Sequence, residues 1–355
     1  MNTYCPRRGF VRNAVSAALG VGGMHVFADD SVPQMDAVSV LDTSRVVRIP
    51  TDYPSLQAAV FGESQWLAVN EVGVTLHVES GYRIPDGVSF WNGSYGHVVI
   101  TSDDEVVEVS HDFTGDLISV HRAIGPILAT MIDMRHRGRH GYWCENAFGQ
   151  IAQTHRLGKR CGIRNAGVDG VLCAHGGNMR IGYRQEWQAS SAAALSASLG
   201  QNPLTDESVE ISGSGRCNVH CACGSFVSVR SAVLTHSKRM NIHCSHASVL
   251  TCDGSDCSDA AEDGVTVSGG SQVDAMNVKA NRCGRYGLSS ARSSTLYAMG
   301  AKAWGSRRND LFITAGSIMD VTSVHTTNGT PSIQDANVSE FNTIFGSGIL
   351  FNEDA

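Results

Sequence analysis

The sequence predicts an all-β solenoid built from stacked coils of about 23 residues, and three observations carry that prediction. Written in rows of 23 from Asn218, the chain agrees with itself through five rows that start at Asn218, Asn241, Gly264, Gly287 and Asp310. Apolar residues alternate with polar ones over short runs inside each row, for example near 219–221, 227–229 and 232–234. The composition has 38 glycines, 42% apolar and only 17% charged residues in 355. This describes a turn-rich β protein and excludes disorder, long helices and collagen.

The columns of the repeat are strict. The second reads Val219, Ile242, Val265, Leu288, Leu311, and the eighth is Ser225, Ser248, Ser271, Ser294, Ser317. Val227, Leu250, Val273, Leu296 and Met319 follow, then Val229, Cys252, Ala275, Ala298 and Val321. A period of 2 inside a period of 23 means short strands joined by tight turns, three to a coil, in a parallel β-helix. One coil cannot bury its inward face alone, so neighbours stack at about 4.8 Å. The pattern extends backwards through Val171, Tyr142 and Leu117, and the 48 residues from Val171 to Val219 are read as two coils. The expected organisation is an N-terminal arm or export-signal-like segment at 1–44, then an N-terminal cap at 45–115 with a short helix over Tyr53–Val60. About nine coils over 116–330 and a C-terminal cap or trimerisation segment at 331–355 complete it.

Arg7-Arg8, Phe10, Val11 and the Ala/Gly-rich run to Ala28 fit a twin-arginine export signal, or a basic arm that anchors the protein to a larger assembly. A net charge of -7 without a basic stripe excludes nucleic acid as the main partner. No apolar run beyond the first thirty residues is long enough to span a membrane. Eleven cysteines, an odd number, leave at least one unpaired, and most are expected to be reduced.

Because residues 23 apart stack, charges acquire neighbours: Arg230 with Asp253, Asp256 with Lys279, Asp259 with Arg282, and Arg239 with Glu262 and then Arg285. Cross-coil ion pairing therefore accounts for most of the acidic cluster at 253–263. One carboxylate pair has a catalytic reading. Asp253 and Asp274 fall on outward columns one coil apart with an offset of two residues, roughly 8 Å between backbones. That lies in the range of about 6.5–9.5 Å over which an acid and a base can seat a water for inverting glycoside hydrolysis. Tyr297, one coil on, is placed to stack on a sugar. Tyr142, Trp143, Tyr183 and Trp187 form a second aromatic group, among His140, Glu145, Arg184 and Glu186, suited to holding sugar rings. His220 and His243 stack outward while Cys221 and Cys244 stack inward, so they do not converge on a metal. No metal or cofactor is expected.

IPTDYPSLQAAV (49–60), VGVTLHVESGYRI (72–84), YGHVVITSDDEVVEV (95–109), FTGDLISV and PILATMIDMRHRGRHGYW resemble the opening of the β-helical domain of bacteriophage tail fibres and tailspikes. GVTVSGGSQVDAMNVKANRCG (264–284) is similar to their repeats, and NVSEFNTIFGSGILF (337–351) to their terminal segment. The resemblance implies a right-handed, pectate-lyase-like parallel β-helix, the hand also expected of parallel crossovers. It further implies a homotrimer on the virion tail, joined through its N-terminus to other tail proteins and attaching the phage to bacterial surface polysaccharide or lipopolysaccharide. A glycan depolymerase on the same scaffold is the alternative, as is an exported bacterial surface protein.

Overall fold

The computed structural model describes residues 39–41, 44–63, 66–68, 73–152, 160–182, 209–327, 344–345 and 349–351. The expected N-terminal segment, most of 331–355, and Tyr183 and Trp187 lie outside them. Every strand pair among the described residues is parallel, and the strands stack into a twelve-stranded sheet, a ten-stranded sheet and a four-stranded sheet. The third face continues beyond its four strands through single bridges, Glu210–Val233–Asp256–Lys279–Lys302, and ends in the pair Lys302–Ala303 and His325–Thr326. Three faces wound from successive short strands make a parallel β-helix. Nine steps of about 4.8 Å give the ten-stranded sheet a length of roughly 43 Å. Among the described residues, no helix is long and apolar enough to cross a membrane.

The register is like on like. Val219 pairs with Ile242, Ile242 with Val265, Val265 with Leu288 and Leu288 with Leu311. All five are buried, as are Val227, Leu250, Val273, Leu296 and Met319 on the twelve-stranded sheet. In the strand Val265–Ser268, Val265 and Val267 point inward while Thr266 and Ser268 stay partly exposed. The serine column has a specific task. Each Oγ accepts a hydrogen bond from the backbone N–H of the serine one coil before it, Ser225 to Ser248, Ser248 to Ser271, Ser271 to Ser294 and Ser294 to Ser317, at 3.2–3.3 Å. In the same corner, just after each of the nine ten-sheet strands from Val88–Trp91 to Asn309–Thr314, the chain turns through a left-handed residue. Asn92, Arg122, Asn146, His175, Cys223, His246, Gly269, Arg292 and Ala315 have φ between 45° and 66°. For residues other than glycine that conformation costs roughly 1–2 kcal/mol, so stacking hydrogen bonds must hold it in place.

Two expectations need correction. Val171 pairs directly with Val219, so the 48 residues between them close one coil, not two; they include 183–208, outside the described residues. From Ile118 to Thr314 the ten-stranded sheet consequently holds eight strands, fewer than the nine coils expected. The helix is Leu56–Glu63, displaced from 53–60 because Ser55 caps it, its Oγ accepting from the Ala58 N–H at 3.2 Å. Residues 45–115 already supply Arg45–Ile49, Val74–Val78 and Val98–Ser102 to the twelve-stranded sheet and Val88–Trp91 to the ten-stranded one. At the far end, Ile344–Phe345 and Ile349–Phe351 add one strand to each large sheet.

Replacing Ser271 with alanine is expected to cost about 1–3 kcal/mol, because the buried Ser248 N–H loses its acceptor. Urea denaturation checks this, and an unchanged midpoint would remove the serine column from the forces that hold the coils.

Candidate functional site

The outward side of the ten-stranded sheet gathers the polar and aromatic chemistry. In its first coils Trp91, His121 and Glu145 end three successive strands and pair in register. Trp91 is 56% exposed, and its indole stacks on His121 at 4.1 Å and 17°. His121 in turn meets the edge of Trp143 at 4.8 Å. Both oxygens of Glu145 face a histidine, Oε2 at 3.1 Å from His121 Nδ1 and Oε1 at 2.9 Å from His175 Nδ1. Arg139 lies over the Trp143 ring at 5.6 Å and is itself held by Asp116 at 2.7 Å. The Trp143 indole N–H is buried without a partner among the described residues. The result is an aromatic shelf with one open face beside a positioned carboxylate, chemistry suited to a hydroxyl-rich ring.

Further along the same face lies a buried charge cluster. Asp169 is fully buried; Arg216 Nε donates to its Oδ1 at 2.9 Å, Arg216 Nη2 to its Oδ2, and the Cys217 N–H to Oδ1 at 3.1 Å. His140 Nδ1 stands 3.3 Å and His220 Nδ1 3.7 Å from Asp169 Oδ2. Burial alone would raise the Asp169 carboxyl, but His140, His220 and Arg216 together hold it well below the usual carboxylate range. Arg216 Nη2 also lies 3.0 Å from His220 Nδ1. His220 stacks on His243 at 4.8 Å and 9°. The motif recurs: Asp116 accepts from Arg139 and the His140 N–H, and Asp263 from Arg285 and the Tyr286 N–H. Each aspartate thus clamps an arginine and the next backbone N–H of the following coil. Beyond Asp263, Tyr286 and Phe312 stack at 4.3 Å under Arg285.

The anticipated site residues divide between locations. Tyr142 is in the core, not on the surface: it is fully buried and its hydroxyl donates to Pro126 O at 2.9 Å. Strand alternation turns Trp143, its neighbour, outward. Tyr297 is 41% exposed on the twelve-stranded sheet, a different sheet from that of Trp143, and pairs with Asp274 on one side and Asp320 on the other. Asp253 and Asp274 are close enough to interact. Burial and the charge of Asp274 push the Asp253 carboxyl above its ordinary range against the pull of Arg230, and Oδ1 of each aspartate is buried without a hydrogen-bond partner.

Of the ion pairs anticipated from the repeat, Arg239–Glu262 at 3.0 Å and Arg282–Asp259 at 2.7 Å form, and Arg285 reaches Glu262 at 3.5 Å while binding Asp263 more closely. Trp91, His121 and the Asp–Arg clamps escaped the sequence reading. A 23-residue comparison pairs Asp116 with Arg139 but misses Asp263 with Arg285, 22 apart, and Asp169 with Arg216, 47 apart.

No family model matches this chain, and no curated protein matches it.

The cluster has a pH signature. Burial, with the charges of His220 and Arg216, lowers the His243 imidazole from 6.5 to about 3. Unfolded chain therefore binds a proton at His243 that folded chain refuses between those values, and stability falls as pH falls from 6.5 toward 3. Asp169 acts in the same sense lower down: its folded value is depressed, so its contribution is present above the unfolded value near 3.8 and is lost as pH drops through the folded one. His243→Gln is expected to flatten the stability slope between about pH 6 and 4. Denaturation midpoints measured across that range would refute the assignment if wild type and variant ran parallel.

Proposed function

We propose that this protein is a receptor-binding component of the tail fibre or tailspike type, which attaches a virion to polysaccharide or lipopolysaccharide on a bacterial surface. The observation that carries the reading is the shelf at Trp91, His121 and Trp143, an exposed aromatic stack beside a fixed carboxylate on an inflexible sheet. A rigid parallel solenoid favours a polymeric ligand because its outward columns repeat at a constant step and lose little conformational freedom on binding. The sequence resemblance supports the same class, with a virion-tail location and an N-terminal junction to other tail proteins; export through the twin-arginine-like segment is the alternative location.

A homotrimer belongs to this reading. On the twelve-stranded sheet, Ile124, Phe226, Val249 and Ile318 lie in one outward column and are each 38–45% exposed. Exposed apolar side chains along one column, here interrupted by Asn178, Gln272 and Thr295, favour burial against another copy.

A second reading, glycan depolymerase, draws on Asp253 and Asp274. A carboxyl raised by burial and by a neighbouring carboxylate is suited to serve as general acid while its partner activates water, with Tyr297 beside them.

Trp91→Ala is expected to weaken binding of the receptor glycan by about tenfold or more, as loss of a stacking anchor does elsewhere. A binding titration against purified polysaccharides from candidate hosts reads it, and unchanged affinity would move the contact away from this shelf. New reducing ends released by wild type and reduced at least about 100-fold in Asp253→Asn would establish the depolymerase reading; binding without release would retire it.

A further inference from the structure

A cavity of about 170 Å³ lies against the helix Leu56–Glu63, among Val60, Glu63, Leu76, Phe90, Tyr95 and His97. It borders the strand Val88–Trp91, with Phe90 turned inward to the cavity and Trp91 outward to the shelf, and it is remote in sequence from the aspartate pair. Its walls are mainly apolar, with Tyr95 meeting the Phe90 ring edge-on at 4.9 Å. One charged side chain enters this lining. Glu63 is 5% exposed, and its Oε1 accepts from Arg45 Nη2 at 2.9 Å and from the Tyr53 hydroxyl at 2.8 Å. Its Oε2 is buried and, among the described residues, has no hydrogen-bond partner.

A buried carboxylate oxygen left without a donor costs about 1–3 kcal/mol or more, so such an atom in a native protein calls for a partner. Water reaches the cavity from its open side, but the apolar part of the lining offers an ordered water few of the 2–4 polar contacts it needs. An apolar body with a single donor satisfies both the walls and Glu63. Size sets the next limit: a cavity of about 150 Å³ holds benzene, so this one holds a single six-membered ring with one small substituent. Charge sets the last. Arg45 already balances Glu63, and burial lowers the His97 imidazole so that it stays neutral near pH 7. A cationic ligand would add an unbalanced charge in a poorly solvated place, and an uncharged one does not.

We propose that this cavity is a binding site for a small uncharged ring compound carrying one hydroxyl or N–H donor, which donates to Glu63 Oε2 while its ring packs against Phe90. The full chain titrated with phenol, with benzene as the comparator lacking a donor, tests it by thermal unfolding. Phenol at about 10 mM is expected to raise the midpoint by roughly 2–4 °C, and benzene by less than half as much. Val60→Phe, which fills the cavity with a larger apolar side chain, is expected to abolish the response. Glu63→Gln is expected to weaken phenol binding about tenfold while leaving benzene unaffected, and it decides the matter should Val60→Phe fail to fold. No phenol shift in wild type, an equal shift in Val60→Phe, or density for water alone at Glu63 after a phenol soak would each overturn the proposal. None of these readouts involves glycan binding, so this site and the attachment function stand or fall separately.

Discussion

A single coil of this chain cannot bury its own inward side chains, so the hydrogen bonds that join each coil to the next must form before any core exists. These bonds run in register between equivalent columns, and in the column Val219 to Ile242 to Val265 to Leu288 to Leu311 the register makes each inward neighbour a residue of similar size. Within another inward column, Cys144, Cys173, Cys221 and Cys244 occupy one position on four successive strands, between Phe90 and Val120 on one side and Val267, Ser290 and Ile313 on the other. All four are fully buried, each packing as a small apolar side chain whose S–H turns to a nearby carbonyl. A larger residue at any one would have to displace the coil above and the coil below together.

The corners follow from the same constraint. A flat stack of strands must turn at fixed places, and it does so through left-handed residues that only rarely are glycine; Gly269 is the exception among nine. Arginine, histidine, cysteine and alanine accept that conformation there because the corner's backbone groups bond to the corner of the next coil, as Gly224 N–H does to His246 O and Ala247 N–H to Gly269 O. The serine column closes the other side of the turn, a side-chain oxygen of one coil accepting the backbone N–H of the coil before it.

What could be read from the sequence was set by how strictly the chain keeps its period. From Asn218 onward the coils are uniform, and their inward columns, their serines and the pairs Arg239–Glu262 and Asp259–Arg282 followed from counting. Before Asn218 the spacing between equivalent residues varies, 24 from Ile118 to Tyr142, 29 from Tyr142 to Val171 and 48 from Val171 to Val219, so counting loses the parity that separates inside from outside. Tyr142 was legible as inward, since it aligns with Val171 and Val219, but its grouping with Trp143 drew it to the surface; Trp91 lies before the first coil that counting reached. The Asp–Arg clamps were hidden for a related reason: the aspartate sits before a strand and the arginine before the next, and corner lengths vary more than strand lengths.

Alternation separates two kinds of work along every strand, and this separation decides where function can be added. Inward columns carry the packing and must fit the coils on either side, whereas an outward side chain can change without disturbing the register that defines the fold. The two large sheets use that freedom differently. On the ten-stranded sheet the outward columns hold histidines, tryptophans and clamped charges; on the twelve-stranded sheet one outward column is apolar at Ile124, Phe226, Val249 and Ile318. Under the proposed function the first surface meets a hydroxyl-rich polymer and the second another copy of the chain. Because the two surfaces belong to different sheets, the proposed copy contact is made by residues other than those of the shelf.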